Sequence, residues 1–139
     1  MSTVEEQLLI PNDLAALETL TGFVDGFCQR HGLSADLVFD LNLSLEEIVV
    51  NVITHGYDDA GVHQIAVSLG THDGWVSATV EDDASEFNPL DVPPPDLDAK
   101  LEQRQIGGLG LHLVKNLMQE LNWSREGDRN RLTMRKRIA

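Results

Sequence analysis

The sequence is poor in cysteine, in basic residues and in long apolar runs, and each shortage excludes a class of protein. Cys28 is the single cysteine of 139 residues, so no disulfide can form within the chain, and its amphipathic surroundings are typical of a small core residue. No cluster of cysteines and histidines has the spacing of a metal site. No run approaches about 18 apolar residues, and the N-terminus lacks the apolar core of a signal peptide, so the sequence predicts a cytoplasmic protein.

The shortage of basic residues argues against two kinds of partner. Ten lysines and arginines face 23 aspartates and glutamates, and the formal net charge of −13 disfavours binding to nucleic acid or to an anionic membrane. The few basic side chains are concentrated near the C-terminus, where they mark either a partner surface or the charged outer face of the last strands. These residues are Arg125, Arg129, Arg131, Arg135, Lys136 and Arg137.

Apolar residues recur at helical spacing in three segments and alternate with polar residues in others. With 42% hydrophobic content the chain can bury its own core, so we expect one domain spanning residues 1–139. Helices are expected after Asp13, from Ser34 to Gly56, and after the glycines at 107–110. Strands are expected at residues 4–10, 65–69, 75–81, 122–125 and 131–138. The expected inward faces of the first and third helices comprise Leu14, Leu17, Leu20, Val24 and Phe27, and Leu111, Val114, Leu117, Met118 and Leu121.

The order of these elements is β-α-α-β-β-loop-α-β-β. It predicts an α+β fold, a two-layer sandwich in which helices pack on one face of a mixed, mostly antiparallel sheet. The loop from Asp82 to Ile106 lacks periodicity and contains four prolines. A loop of this length inside a compact domain is usually functional, and we expect a lid over residues 83–107.

The central helix has a polar stripe along one edge of its apolar face. Within it, Glu47 and Asn51 lie one helical turn apart, where a carboxylate and an amide oxygen can share a magnesium ion and a hydroxyl or water nucleophile. The alternative is the solvated edge of a core helix. The stripe consists of Asp40, Ser44, Glu47, Asn51 and His55.

Two further stretches have features of a nucleotide site. The glycines at 107–110 open a helix, so backbone N–H groups can approach a phosphate, although neither the P-loop nor the dinucleotide pattern is present. The alternative is a tight turn between loop and helix. Asp82 follows a predicted strand, where a buried carboxylate can accept a hydrogen bond from an amino group such as that of adenine; alternatively it is a solvated acid at the strand end.

Together the three stretches resemble the GHKL superfamily of ATPases, which includes gyrase and the histidine kinases. The likeness covers nearly the whole chain and is closest to the small bacterial anti-sigma-factor serine kinases. Glu47-x-x-x-Asn51 with His55-Gly56-Tyr57 resembles the N-box of the family. The segments 80–89 and 107–114 resemble its first and second glycine boxes.

The resemblance implies a role for each matched residue. Glu47 would be the catalytic general base, and Asn51 would be the ligand of phosphate-bound magnesium. Asp82 would accept from the exocyclic amine of adenine, and Asn130 falls where the family often has a threonine near the base. The residues implied to bind ATP are Asn51, Asp82, Ala84, Phe87, Gly107, Gly108, Leu109, Gly110, Leu111 and Asn130.

One residue departs from the family pattern. Ala84 stands where the first glycine box normally has glycine. If this position requires a positive φ, alanine adds backbone strain of about 1 kcal/mol. If its backbone is ordinary, the methyl group only crowds the adenine side of the pocket.

The resemblance leaves three functions open. The first is an ATP- and Mg²⁺-dependent serine/threonine kinase that phosphorylates an anti-sigma-antagonist (STAS-type) protein. The second is a non-catalytic protein that sequesters a sigma factor or other regulator, with nucleotide only ordering the lid. The third is an ATPase whose nucleophile is water. The likeness also implies a homodimer.

Overall fold

The computed structural model of the chain describes residues 4–91 and 108–139. Five strands and three α-helices make up this part of the molecule, with short 3₁₀ turns at Leu14–Ala16 and Pro89–Asp91. In chain order they are β1 (Val4–Pro11), α1 (Leu17–Arg30), α2 (Ala35–His55), β2 (Gln64–His72), β3 (Trp75–Asp82), α3 (Gly108–Leu117), β4 (Glu120–Glu126) and β5 (Arg129–Arg137). The expected α+β class is confirmed.

The strands form one sheet in the order β1-β2-β3-β5-β4, and every neighbouring pair is antiparallel. The hairpin between β2 and β3 turns at Asp73 and Gly74, whose φ angles of 53° and 81° suit a tight two-residue connection. In the described residues β1 and β4 are the edge strands, and an edge position for β1 is what Pro11 predicts. The described sheet is thus entirely antiparallel, whereas we expected a mixed, mostly antiparallel one.

The helices pack on one face of the sheet, and α2 lies at the centre of the core. Leu41, Leu45 and Val49 of this helix are completely buried, as are Val76 and Ala78 of β3 beneath it. Ser34 caps α2 by accepting a hydrogen bond from the Leu37 backbone N–H at 3.3 Å, as predicted. The central helix thus begins and ends where its sequence signals indicate.

Three residues of the predicted helix faces are placed differently. Leu14 lies in the 3₁₀ turn and is 50% exposed, because Asp13 caps that turn rather than α1. The third helix ends at Leu117, so Met118 follows it and Leu121 belongs to β4. Leu121 still packs against the core, from the sheet instead of from the helix.

Most of the predicted lid, residues 92–107, lies outside the described residues. Its first part, residues 83–91, is described and includes a 3₁₀ turn with a buried Pro89. None of the helices in the described ranges is both long enough and apolar enough to cross a membrane.

Candidate functional site

A cavity of about 400 Å³ opens between α2, the ends of β3 and β5, and the start of α3. Its size is that of a small-molecule site, and its walls are mainly apolar with a few polar groups. The apolar side chains in the walls are Ile48, Val52, Val80, Ala84, Phe87, Pro89, Leu111, Trp123 and Leu132. The polar side chains are Asn51, His55, Asp82, Ser85, Glu86 and Asn130.

The polar stripe of α2 divides into two parts. Asn51 and His55 line the cavity. Asp40 instead forms an ion pair with Lys136 of β5 at 2.5 Å, and Ser44 is completely buried under the helix. Only the C-terminal half of the stripe therefore faces the site.

Asn51 is oriented by its own helix. Its side-chain N–H donates to the backbone oxygen of Glu47 at 2.9 Å. The amide oxygen of Asn51 has no hydrogen-bond partner in the described part of the chain, so this oxygen is available to a cation or a ligand. That arrangement fits the role of a magnesium ligand.

Glu47 lies against the second glycine segment. A methyl group on Gly110 would overlap the carboxylate at the flexible end of Glu47, so with any other residue here the carboxylate would have to turn away. Glu47 is half-buried, whereas the neighbouring Glu46 is exposed. The structure thus brings the candidate base next to the candidate phosphate-binding turn, although the two are far apart in sequence.

Asp82 sits at the end of β3 and is only 3% exposed. Its Oδ1 accepts hydrogen bonds from the Asn130 side chain at 2.9 Å and from the Ala84 backbone N–H at 3.1 Å. Among the described residues no donor contacts Oδ2, which remains for a ligand in the cavity. Burial raises the pKa of Asp82, and these two hydrogen bonds act in the opposite direction.

Asn130 holds the segment that follows Asp82. Its side-chain N–H groups also donate to the backbone oxygens of Ala84 and Ser85, at 3.3 and 2.9 Å, and its side-chain oxygen accepts from the Phe87 N–H at 3.3 Å. These bonds occupy both ends of the amide, so Asn130 supports the pocket wall, and its contact with the nucleotide stays a prediction.

The backbone at Ala84 is ordinary. In the described residues Asp73 alone among non-glycine residues has a positive φ, so the strain alternative for Ala84 does not apply. The Ala84 methyl group is buried in the cavity wall, only 2.7 Å from where a Cβ on Gly56 would stand. Gly56 therefore provides the space that the extra methyl group occupies.

The remaining predicted residues lie around this centre. Phe87 and Leu111 line the cavity, with Phe87 47% exposed at its mouth. Gly108 and Leu109 begin α3, and Gly107 lies outside the described residues.

Sequence patterns did not indicate two contributors to the site. Trp123 of β4 forms part of the wall, and its buried indole N–H has no partner in the described part of the chain. Arg125 donates to the Ala84 backbone oxygen at 2.9 Å. Both lie on the inner face of an edge strand, a position that depends on the sheet register.

These observations fit an adenine nucleotide with magnesium. Among the described residues no donor occupies Oδ2 of Asp82 inside an apolar slot, Asn51 offers an amide oxygen, and Gly110 lets the Glu47 carboxylate lie against the first turn of α3. The acceptor matches an amino group, and the oxygen ligand matches a hard cation.

The sequence from residue 10 to residue 136 matches the histidine kinase-like ATPase domain family. The chain is 28% identical over 102 residues to the serine-protein kinase RsbW of Bacillus velezensis, a match that covers 70% of this chain and 64% of that kinase. It is 30% identical over 105 residues to the serine/threonine-protein kinase BtrW of Bordetella bronchiseptica, covering 76% of this chain and 74% of the other. The chain thus spans just under two thirds of the Bacillus kinase.

A solved structure of the RsbU and RsbW domains of a Mycobacterium tuberculosis protein has the same fold. The TM-score is 0.68 with 18% sequence identity, and the match covers 97% of this chain and 32% of that one.

Proposed function

Because the chain belongs to the histidine kinase-like ATPase domain family and is distantly related to the RsbW and BtrW kinases, we propose that it is an ATP-dependent serine/threonine kinase. Its substrate would be a hydroxyl group of an anti-sigma-antagonist (STAS-type) protein in a partner-switching pathway, and a sigma factor would be a second partner. We further propose a single domain over residues 1–139 that acts as a homodimer in the cytoplasm.

One observation carries this proposal. Among the described residues, one oxygen of the buried Asp82 carboxylate has no hydrogen-bond donor, and Glu47 lies against Gly110 beside the same apolar cavity. An amino-group acceptor inside a slot suits adenine, and a carboxylate beside a helix N-terminus suits a site of phosphoryl transfer.

Each residue would have a defined part in the reaction. Asp82 would bind the adenine amine and so orient the nucleotide along the cavity. Asn51 would hold magnesium through its amide oxygen, and the metal would neutralise phosphate charge. Glu47 would orient the substrate hydroxyl and accept its proton, while the N–H groups at the start of α3 would stabilise the transferred phosphoryl group.

The second candidate is the sequestering protein that uses nucleotide only to order the lid. The buried methyl group of Ala84 in the cavity wall is the observation in its favour, since it narrows the base site. A binding protein does not require a base at Glu47, so the two candidates differ in what that carboxylate does.

Phosphotransfer from ATP to STAS-type proteins encoded by neighbouring genes tests the kinase. Glu47→Gln should lower the transfer rate about 10²- to 10⁴-fold while ATP affinity stays within about threefold, because the lost step is proton transfer. Glu46→Gln removes the same charge from the exposed neighbouring position and should transfer normally. Stable binding of the partner without any phosphorylation by the wild type would support the sequestering protein instead.

A further inference from the structure

A second polar cluster lies beside the cavity, outside the groups assigned to nucleotide and magnesium. His63, just before β2, has a carboxylate at each ring nitrogen: Asp83 Oδ2 is 3.0 Å from Nδ1, and Asp59 Oδ1 is 2.9 Å from Nε2. A carboxylate only accepts hydrogen bonds, so both contacts form fully only when each nitrogen carries a proton. The geometry is therefore that of an imidazolium ion between two acids.

Tyr57 forms a second hydrogen bond to Asp83. Its hydroxyl donates to Asp83 Oδ1 at 3.1 Å, and its ring stacks on His63 with centroids 4.3 Å apart. Both oxygens of Asp83 are therefore held from outside the cavity. Asp83 lies between Asp82, the candidate adenine acceptor, and Ala84, whose methyl group lines the wall.

The backbone of His63 is anchored independently of its side chain. Its N–H donates to the Asn12 side-chain oxygen at 2.9 Å, and its carbonyl accepts from the Asn12 N–H at 3.0 Å. Loss of the imidazolium charge would therefore weaken the hold on Asp83, which keeps its bond from Tyr57, without detaching the loop from the end of β1.

We propose that protonated His63, together with Tyr57, acts as a positioning group for the segment Asp82–Ala84, so that nucleotide affinity falls as His63 loses its proton. This inference rests on the proposed nucleotide site. It adds a proton-dependent control to that site, because only the fraction of molecules with the segment in place binds at full affinity.

The titrating groups around the cluster define its pH range. Hydrogen bonds to Asp59 and Asp83 raise the pKa of His63 above 6.5. Hydrogen bonds from His63 lower the pKa of Asp59 below 3.8. Burial alone would raise the pKa of Asp83, but the bonds from His63 and Tyr57 bring it below 3.8. The ion pairs are therefore complete from about pH 4 to about pH 6.5 and are lost as pH rises through the His63 value.

In the described part of the chain, Tyr57, Asp82 and Arg129 are the other charged or titratable groups that act within the cluster. Burial and the neighbouring Asp83 raise the pKa of Tyr57 further above 10, so its hydroxyl remains a donor throughout this range. Asp82 and Arg129 act electrostatically on Tyr57 in opposite directions, Asp82 raising its pKa and Arg129 lowering it. Of these described groups, His63 is the one whose ordinary pKa lies near neutral pH.

The test is the dissociation constant of Mg-ADP by calorimetry at about pH 6 and about pH 8.5. The wild type should bind about fivefold more weakly at the higher pH, and His63→Gln should change less than about twofold. The titration of the nucleotide itself is common to both proteins and cancels in the comparison. His72→Gln, the same substitution at the far end of β2, should behave as the wild type. Equal pH dependence in His63→Gln and the wild type would overturn the proposal.

Two NMR measurements on the protein without nucleotide test the positioning role of His63 by itself. They therefore distinguish an error in this inference from an error in the proposed function. NMR titration should show that Asp83→Asn lowers the His63 pKa, and the Ala84 and Ser85 amides of the wild type should lose protection relative to their intrinsic exchange rates once His63 is neutral. If the wild type bound no nucleotide but showed both effects, the positioning would stand and the nucleotide site would fail. If neither effect appeared, the positioning itself would be wrong.

Discussion

At the scale of single residues, the site depends on how Asp82 is held. Asn130 stands directly opposite Asp82 in the β3–β5 pairing, and its amide makes four hydrogen bonds to residues 82–87. Because Asp82 is buried, each donor to its carboxylate matters more than a donor at the surface would. The wall of the cavity is thus fixed by one amide side chain from a neighbouring strand.

Replacing Asn130 by aspartate should therefore destabilise the fold in a pH-dependent way. The variant places a second carboxylate beside Asp82 and removes the donors, at a cost of about 2–4 kcal/mol in the free energy of unfolding at neutral pH. Both folded-state pKa values would be raised, so the folded state would bind more protons and the loss would shrink as pH falls. Urea unfolding at about pH 7 and about pH 5 measures this.

Asn122→Asp is the matched control, since it makes the same change at an exposed position of β4. It should alter stability by less than about 0.5 kcal/mol. A pH-independent loss in Asn130→Asp would show that Asn130 does not act through Asp82.

Ala84→Gly tests whether the extra methyl group obstructs the nucleotide. The backbone needs no positive φ here, so glycine gains nothing locally and loses buried contact with the Gly56 turn. The free energy of unfolding should fall by about 1 kcal/mol, and ATP affinity should change by less than about threefold. Binding that became ten times tighter in calorimetry would show that the methyl group blocks the site.

The sequence identified the candidate residues around Asp82 but not the hydrogen bonds that join them. Asp82 and Ala84 were recognisable because they belong to a motif of local spacing. The hydrogen bonds of Asn130 and the contacts of His63 with Asp83 join residues 20 to 48 positions apart. They depend on the register of the sheet, which hydrophobic alternation alone does not define.

At the scale of elements, the contact between α2 and α3 brings the proposed general base next to the proposed phosphate-binding turn. Gly110 of α3 meets the Glu47 side chain of α2, so the helices approach through a position without a side chain. Helical spacing alone predicted that Glu47 and Asn51 are neighbours on α2. The glycine segment of α3 was assigned to the same site only through the family likeness, since periodicity does not tell which helices touch.

Gly110→Ala should disturb this contact. The added methyl group would overlap the carboxylate at the flexible end of Glu47, which would have to turn away, so we expect a loss of about 1 kcal/mol or less in the free energy of unfolding together with weaker ATP binding. In Gly22→Ala the new methyl group on α1 meets nothing within 4 Å, so this control should gain about 0.5–1 kcal/mol. Similar gains in both variants, measured by urea unfolding, would show that the Glu47 carboxylate turns away at no cost.

At the scale of the whole molecule, the net charge of −13 shapes how an anionic ligand can bind. Glu47, Asp82 and Glu86 lie at or beside the cavity, so bare ATP would meet like charge on several sides. A divalent cation held by Asn51 would reduce that repulsion, so we expect nucleotide binding to depend strongly on magnesium. The α+β class and the element order followed from sequence patterns, because long amphipathic segments with caps and turns determine them locally.

The nucleotide site itself can be examined by calorimetry of ATP binding, with and without magnesium, on the wild type and on Asn51→Ala. We predict a dissociation constant in the micromolar range with magnesium, at least about tenfold weaker binding without it, and similar weakening in Asn51→Ala. Circular dichroism would verify that both proteins are folded. A folded wild type that bound no ATP, or bound it equally well without magnesium, would contradict the account.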